Sequence, residues 1–340
     1  TVRADRLAPY ARPGEGAPTP VLGEFARTAL VYERARSPAP LTMPAMAAVM
    51  TGRYPHSVGI TGHSRADRLA PGSDTLAAIA RRAGYRTAAV VTNPWLAYPA
   101  SGFARDFETF VSGHSLGRGR ARMHAADVVD EAVRILENDD ARPTLLWVHF
   151  LDAHMPYTDG ERETRVTADF ARSSAERSRI FFEAPYSPAE LAATRDAYDA
   201  AIERIDTALA RLFARIAPNA IVVVLADHGE SLGEHGLHFA HDFTLYDELL
   251  RVPLLLRAPA IAPGRDATPV SLIDVLPTVC ALAGLDCERN LDGLRLPRTG
   301  AGDDGAARFV KRTLFAASSP ARARYRCPWL ELPGLEGQGL

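Results

Sequence analysis

Several short runs of this chain are continuously apolar, and each gives way at once to polar residues. Ala220-Ile-Val-Val-Val-Leu-Ala226 runs into Asp227-His228, Thr144-Leu-Leu-Trp-Val-His-Phe150 into Leu151-Asp152, and Arg86-Thr-Ala-Ala-Val-Val-Thr92 into Asn93. A strand that is apolar at every position, rather than at alternate ones, has to be covered on both faces. The segments between these runs supply the cover. Residues 22–30, 74–83, 125–136 and 188–216 read as helices, and 29–33 and 252–256 as further strands. Strands alternating with helices predict an α/β fold with a parallel sheet between two helical layers. In such sheets the ligand site lies beyond the carboxyl ends of the strands, so the polar residues after each run are the ones to read for chemistry. From about residue 292 the pattern weakens into scattered Gly, Pro and Arg. That change predicts a catalytic domain over residues 1–300 and the start of a small C-terminal subdomain over 301–340.

The bulk of the chain excludes some partners. It has 340 residues, 24% of them charged, and a formal net charge of only -2, with no long run of one sign. Nucleic acid and anionic membrane are therefore not expected as main partners. Three cysteines, Cys280, Cys287 and Cys327, form a sparse set with no CxxC pair. They read as buried or incidental thiols, against a disulfide framework or a structural zinc site. No stretch is long and apolar enough to span a bilayer. The chain opens Thr1-Val-Arg-Ala-Asp5 without an initiator methionine, which leads us to expect sequence upstream. The compartment follows from that segment: periplasmic, secreted or membrane-anchored if it carries a signal or transmembrane helix, cytoplasmic otherwise.

Four segments carry candidate chemistry. In Ala39-Pro-Leu-Thr-Met-Pro-Ala-Met46 and onward to Gly52, Pro44 suits a first helical turn and Gly52 a helix end. Thr42 then lies at a helix N-terminus, where free N–H groups and the dipole favour negative charge on its oxygen. Taken alone, a capping threonine explains that position equally well. Asp227 and His228 at a strand's carboxyl end form a ligand pair suited to a divalent cation. His235, His238 and His241 follow closely, so that four of the ten histidines of the chain fall between 228 and 241, a concentration that chance does not supply. After another strand come Asp152 and His154, the latter able to hold an anionic oxygen or protonate a leaving group. His149, inside that strand, reads as core. Finally, the Thr51-Gly-Arg-Tyr-Pro-His-Ser-Val-Gly59 loop brings Arg53 and His56 after the Thr42 helix, with positioning of the loop as the simpler role.

In order and spacing these segments resemble the sulfatase-like family of the alkaline phosphatase superfamily. Thr42-Met-Pro-Ala-Met46 with Thr51-Gly-Arg-Tyr-Pro55 is similar to its signature of a nucleophile, any residue, Pro, a small residue and then Thr-Gly-x-x-Pro. Leu151-Asp-Ala-His-Met-Pro-Tyr157, Asp227-His-Gly-Glu230, Leu245–Pro253, Val270–Thr278 and Leu291-Asp-Gly293 match later landmarks. The resemblance implies a mixed, largely parallel central sheet flanked by helices on both faces, and one divalent metal ion (Ca, Zn or Mn). It further implies a covalent intermediate on Thr42. On this mapping Thr42, His154 and His241 are catalytic, Thr42, Asp227 and His228 hold the metal, and Arg53 and His238 contact the substrate. Asp5 matches a mainly structural aspartate.

Three departures shape the expected chemistry. A threonine cannot be converted to formylglycine as the family's Cys or Ser is, but it is the usual nucleophile of the superfamily's phosphotransferases. Met46 stands where an arginine is expected, and Thr92-Asn-Pro-Trp95 lacks the expected lysine and histidine. The opening strand, with its metal-binding aspartate, is expected just before Thr1. The predicted activity is hydrolysis of sulfate esters or related tetrahedral oxyanion esters. Its rivals are a phosphoester hydrolase, a phosphoethanolamine- or phosphoglycerol-type transferase, and an inactive sulfatase-like binding protein. The partner is a small sulfate or phosphate ester, with a lipid or glycan head group as one form it can take.

Overall fold

A computed structural model of the chain describes residues 1–113, 123–138, 140–157, 164–287, 290–297, 314 and 316–317. The C-terminal subdomain expected over 301–340, and Cys327, therefore lie outside the described residues except at those three positions. In chain order the elements are α1 (Pro20–Arg27), β1 (Leu30–Tyr32), β2 (Ala35–Arg36), α2 (Thr42–Thr51), α3 (Leu76–Arg82), β3 (Arg86–Val91), β4 (Thr109–Val111), α4 (Ala125–Leu136) and β5 (Thr144–His149). They continue with α5 (Arg165–Arg172), α6 (Ser174–Phe182), α7 (Pro188–Phe213), β6 (Val222–Leu225), β7 (Ser231–Leu232), β8 (His238–Ala240), α8 (Asp247–Leu250), β9 (Leu254–Arg257), β10 (Gly264–Asp266), β11 (Val270–Ser271) and α9 (Val275–Ala283).

The strands form two main sheets, ordered β4-β3-β5 and β10-β1-β9-β6. The first is wholly parallel, as the apolar runs predict, with Ala88 opposite Leu146 and Val91 opposite His149. In the second, β9 runs antiparallel to both β1 and β6, and β1 pairs in parallel with β10. The sheets are thus mixed, as the resemblance implies; residue periodicity reports burial on two faces and is silent on strand direction.

The two-faced burial is direct. On β3, Ala89 and Val91 enter the core formed with α2, α3 and α9, while Ala88 and Val90 enter the core formed with α4 and α7. The same alternation divides Leu145 and Trp147 from Leu146 and Val148 on β5. Yet β5 and β6 are half-exposed along their whole length, where every residue of β3 is buried. Among the described residues each pairs with a strand on one side only. The two carboxyl ends meet at Thr1, whose hydroxyl donates to the Ala153 carbonyl after β5 and whose amino group lies 2.8 Å from Asp227 Oδ1 after β6.

Local chemistry sets the element ends. On α7, Ser187 accepts from the Glu190 N–H and Glu190 answers to Ser187 N at 2.8 Å, with Pro188 in the first turn. Asp206 of α7, fully buried, accepts from the Val21 and Leu22 N–H groups and so fixes the start of α1. Cys280 and Cys287 form a disulfide across the end of α9, with Cα atoms 6.2 Å apart. This corrects the reading of both as free thiols: the helix end at Gly284, with φ +66°, turns the chain back so that residues seven apart in sequence meet.

Candidate active site

Helix α2 is buried at every position, Thr42 is its first residue, and Leu41 precedes it as the cap. The Thr42 hydroxyl therefore does not cap the helix; it lies 3.3 Å from His228 Nε2. His228 follows the end of β6 and is fully buried. Its Nδ1 is 2.8 Å from the Gly229 carbonyl oxygen, which can only accept, so Nδ1 carries the proton and Nε2 presents a lone pair. Burial pushes the His228 imidazole well below its usual range, against the pull of Asp227, and keeps it neutral. Burial opposes ionisation of Asp227, but Oδ1 accepts from Thr1 N and from the His228 backbone N–H, which favours the carboxylate.

This leaves an unusual juxtaposition. Asp227 Oδ2 and His228 Nε2 stand 3.4 Å apart, two electron-rich atoms with no proton between them, and Thr42 Oγ lies 3.3 Å from the same Nε2. Ligands at about 2.0–2.1 Å around a tetrahedral ion are roughly 3.3 Å from one another. The two spacings about His228 Nε2 are thus those of neighbouring ligands on a small divalent cation. The three donors are two residues of metal-binding type and one hydroxyl; among the described residues no cluster of three or more His, Cys, Asp or Glu is arranged as a metal shell.

Two further histidines adjoin this face. The His241 ring lies 4.4 Å from that of His228, and the His154 ring meets His241 edge-on at 5.1 Å. His241 Nδ1 is 3.0 Å from Glu230 Oε1, and His154 Nδ1 is 2.7 Å from the Met155 carbonyl oxygen. Thr42, His154, Asp227, His228 and His241 are therefore brought together from α2, from the carboxyl ends of β5 and β6, and from the end of β8. Arg53 is not, because it follows Gly52 at the far end of α2, and ten residues at about 1.5 Å each set it roughly 15 Å from Thr42. His238, on β8, lies against Gly233 on the Arg195 side, and burial lowers its imidazole. His235 stacks on Tyr246 at 3.7 Å, and His56 stacks on Tyr54. Asp152 accepts from the Ala125 N–H at the start of α4, and Asp5 pairs with Arg3; both are structural.

Two residues at the site had no role in the sequence reading. His63 Nε2 accepts from the Met43 N–H at 2.8 Å, beside the threonine, and its ring stacks on Trp95. Nothing in its loop announces this. Glu230 belongs to the Asp-His-Gly-Glu motif and is fully buried behind His241.

Fold and cluster together define an α/β protein whose polar site gathers a threonine hydroxyl, a carboxylate and three imidazoles at strand carboxyl ends. The chain belongs to the sulfatase family, whose family model matches residues 4–285. It is 27% identical over 328 residues to a choline-sulfatase of Rhizobium meliloti (strain 1021), covering 79% of this chain and 63% of that protein. It is 24% identical to an ulvan-active sulfatase of Formosa agariphila, covering 81% of this chain and 58% of the relative. The chain thus spans about three fifths of the length of these relatives. Among solved structures, the phosphonate monoester hydrolase from Silicibacter pomeroyi superposes with TM-score 0.67 at 19% identity, covering 87% of this chain and 74% of that one. The phosphonate monoester hydrolase of Agrobacterium radiobacter gives 0.66 at 20%. No helix among the described residues is long and apolar enough to cross a membrane.

Proposed function

We propose that the chain carries the catalytic site of a metal-dependent ester hydrolase acting on sulfate esters, with Thr42 as nucleophile. The observation that carries this reading is that Thr42 Oγ and Asp227 Oδ2 lie 3.3 Å and 3.4 Å from the same atom, His228 Nε2, at the first turn of α2. Asp227, His228 and Thr42 would hold the divalent ion, and bound there it would supply positive charge to the threonine oxygen and to the ester's oxygens. Thr42, its hydroxyl proton lost to solvent, attacks sulfur through Oγ in line and forms a sulfo-threonine as the S–O bond to the alcohol breaks. His241 protonates the leaving oxygen, His154 steadies the anion, and water then cleaves the threonine ester. The first turn of α2 places its N–H groups and dipole beside the charge that develops.

A second reading, phosphoester or phosphonate ester hydrolysis, is favoured by the unmodified threonine and by the buried, uncharged Met46 and Asn93 where sulfate-binding cations are expected. The relatives' names include both sulfatases and phosphonate monoester hydrolases. A small sulfated molecule or glycan is the corresponding substrate class. The one-sided pairing of β5 and β6, with Thr1 anchored between their ends, supports the expectation of a further strand there that brings another aspartate to the metal.

The test is turnover of matched aryl sulfate, phosphate monoester, phosphodiester and phosphonate monoester substrates by the full-length protein, Thr42→Ala and a chelated sample, with metal binding measured in parallel. Turnover that vanishes in both controls supports the metal-and-threonine chemistry, and the preferred ester chooses between sulfate and phosphorus. No turnover and no metal binding would replace this reading with that of a non-catalytic binding protein.

A further inference from the structure

Away from the strand ends that carry the catalytic cluster, α1, the last turn of α7 and the end of β9 line a groove of about 380 Å³. Its walls are mainly apolar: Val21 and Phe25 from α1, and Ala210 and Phe213 from α7, with the two phenyl rings stacked at 4.8 Å. Arg257 supplies the polar end. It pairs with Val222 at the start of β6, whereas Asp227 follows the other end of that strand. At about 3.3 Å per residue, the groove is roughly 16 Å from Asp227. The Arg257 guanidinium lies over the Phe25 ring, 5.0 Å from its centroid, and its Nε is buried without a hydrogen bond. Among the described residues this side chain makes no hydrogen bond or ion pair at all. Glu24, at the rim, is already paired with Arg27 on the same helix.

A guanidinium held against an aromatic face keeps its edge free, and that edge matches a carboxylate in two parallel hydrogen bonds. Here the cation has lost hydration at Nε without a compensating acceptor, so an anion reaching its terminal nitrogens would offset an uncompensated charge. The volume is at the lower end of the range of small-molecule sites, about 300–1,000 Å³. We propose that the groove is a second binding site, for a small organic anion. A flat apolar body of one or two rings lies along Val21, Phe25 and Phe213, and its carboxylate pairs with the terminal nitrogens of Arg257. This site is independent of the hydrolase reading, because none of its residues belongs to the catalytic cluster.

The experiment is a calorimetric titration of 2-naphthoate, and of neutral 2-naphthamide, into the full-length protein after chelation. It compares wild type with Arg257→Gln, Ala210→Phe and Asp227→Asn, each checked for folding by a thermal melt. Wild type should bind the carboxylate at least about tenfold more tightly than the amide, the difference that one charge-assisted pair makes. Arg257→Gln should remove that preference. Ala210 is exposed on α7, so Ala210→Phe fills the groove without entering the core and should weaken both probes by a similar factor. Asp227→Asn should bind both probes as wild type does. A preference for naphthoate that survives in Arg257→Gln overturns the proposal, and so does wild-type affinity in Ala210→Phe. Binding lost in Asp227→Asn would put the probe at the catalytic cluster and overturns it too, as does a wild type that takes up neither probe at millimolar concentration. Where Arg257→Gln fails to fold, Ala210→Phe and the carboxylate-to-amide ratio in wild type decide.

Discussion

Gly229 joins His228, which faces Thr42, to Glu230, and it passes closer to a neighbouring backbone than any side chain permits. A Cβ built there would lie 1.9 Å from the Glu248 carbonyl oxygen, 2.9 Å from that carbonyl's carbon and 3.2 Å from Leu249 Cα. Non-bonded heavy atoms rest near about 3.5 Å, so Gly229→Ala forces the two backbones apart by roughly 1.5 Å. The Gly229 N–H also donates to the Leu249 carbonyl at 2.7 Å and must lengthen or lose that bond. Overpacking of this kind costs about 1–3 kcal/mol and the strained bond about 1 more, giving a loss of roughly 2–4 kcal/mol in unfolding free energy. Displacing His228 and Glu230 by about 1 Å costs on the order of 10²-fold in rate. Gly293→Ala separates the two effects, because its Cβ would meet the Ile273 carbonyl oxygen at 2.0 Å, an equal clash in the loop that binds Gly52 at the far end of α2. Gly72→Ala, with nothing within 4 Å, is the neutral control. Urea unfolding should rank Gly229→Ala and Gly293→Ala together, well below Gly72→Ala, while turnover per folded molecule should fall only in Gly229→Ala. Wild-type stability and turnover in Gly229→Ala would refute the close approach, and equal loss of turnover in both clashing variants would refute its link to the site.

Thr42→Ala should lower turnover by at least about four orders of magnitude while costing only about 1 kcal/mol of stability; Thr42→Ser should keep measurable turnover. An Ala variant with turnover near wild type removes Thr42 from the nucleophile's role. Added Zn²⁺ or Mn²⁺ should raise the unfolding temperature of wild type and much less that of Asp227→Asn, read by thermal melts after chelation; identical responses would separate Asp227 from the metal. Burial pushes the His149 imidazole down to about 4, so the unfolded state binds its proton first as pH falls. His149 thus contributes stability that is fully present above about pH 6.5 and is lost as pH drops toward about 4. The loss is at most about 3 kcal/mol, and less because the ring is not fully sealed from solvent. His149→Phe should flatten the dependence of unfolding free energy on pH in that window, and an unchanged slope would refute the assignment.

The frame was legible because the signals that define it are local. The helix expected over 125–136 is α4 to the residue, and the long helix from Pro188 is capped by its own Ser187 and Glu190. The strand expected from Val252 begins instead at Leu254, since Pro253 has no N–H to give a ladder. What was not legible depends on distant contacts. His63 reaches the Met43 N–H across twenty residues of chain, and the disulfide depends on a helix end at Gly284. The Arg53 expectation failed to bring that residue to the cluster for the converse reason: neighbours in sequence across a helix stand at its opposite ends.

The central pair of residues joins both kinds of information. Sequence places Asp227 and His228 together at a strand end but cannot say whether their donor atoms converge, and a turn aspartate beside a surface histidine has the same spelling. Convergence is decided by the Gly229 carbonyl, which takes the Nδ1 proton and turns the bare Nε2 toward Asp227 Oδ2 and Thr42 Oγ. Two lone pairs facing each other in a buried pocket are unfavourable unless positive charge lies between or beside them. Asp227 Oδ1 accepts from Thr1 N, while on the Oδ2 side the donors His228 and Thr42 are both uncharged. The side of the carboxylate that faces His228 Nε2 is thus the side where a cation lowers the energy most. That is the physical ground for placing a divalent ion beside His228 Nε2 rather than among the more numerous histidines of residues 235–241.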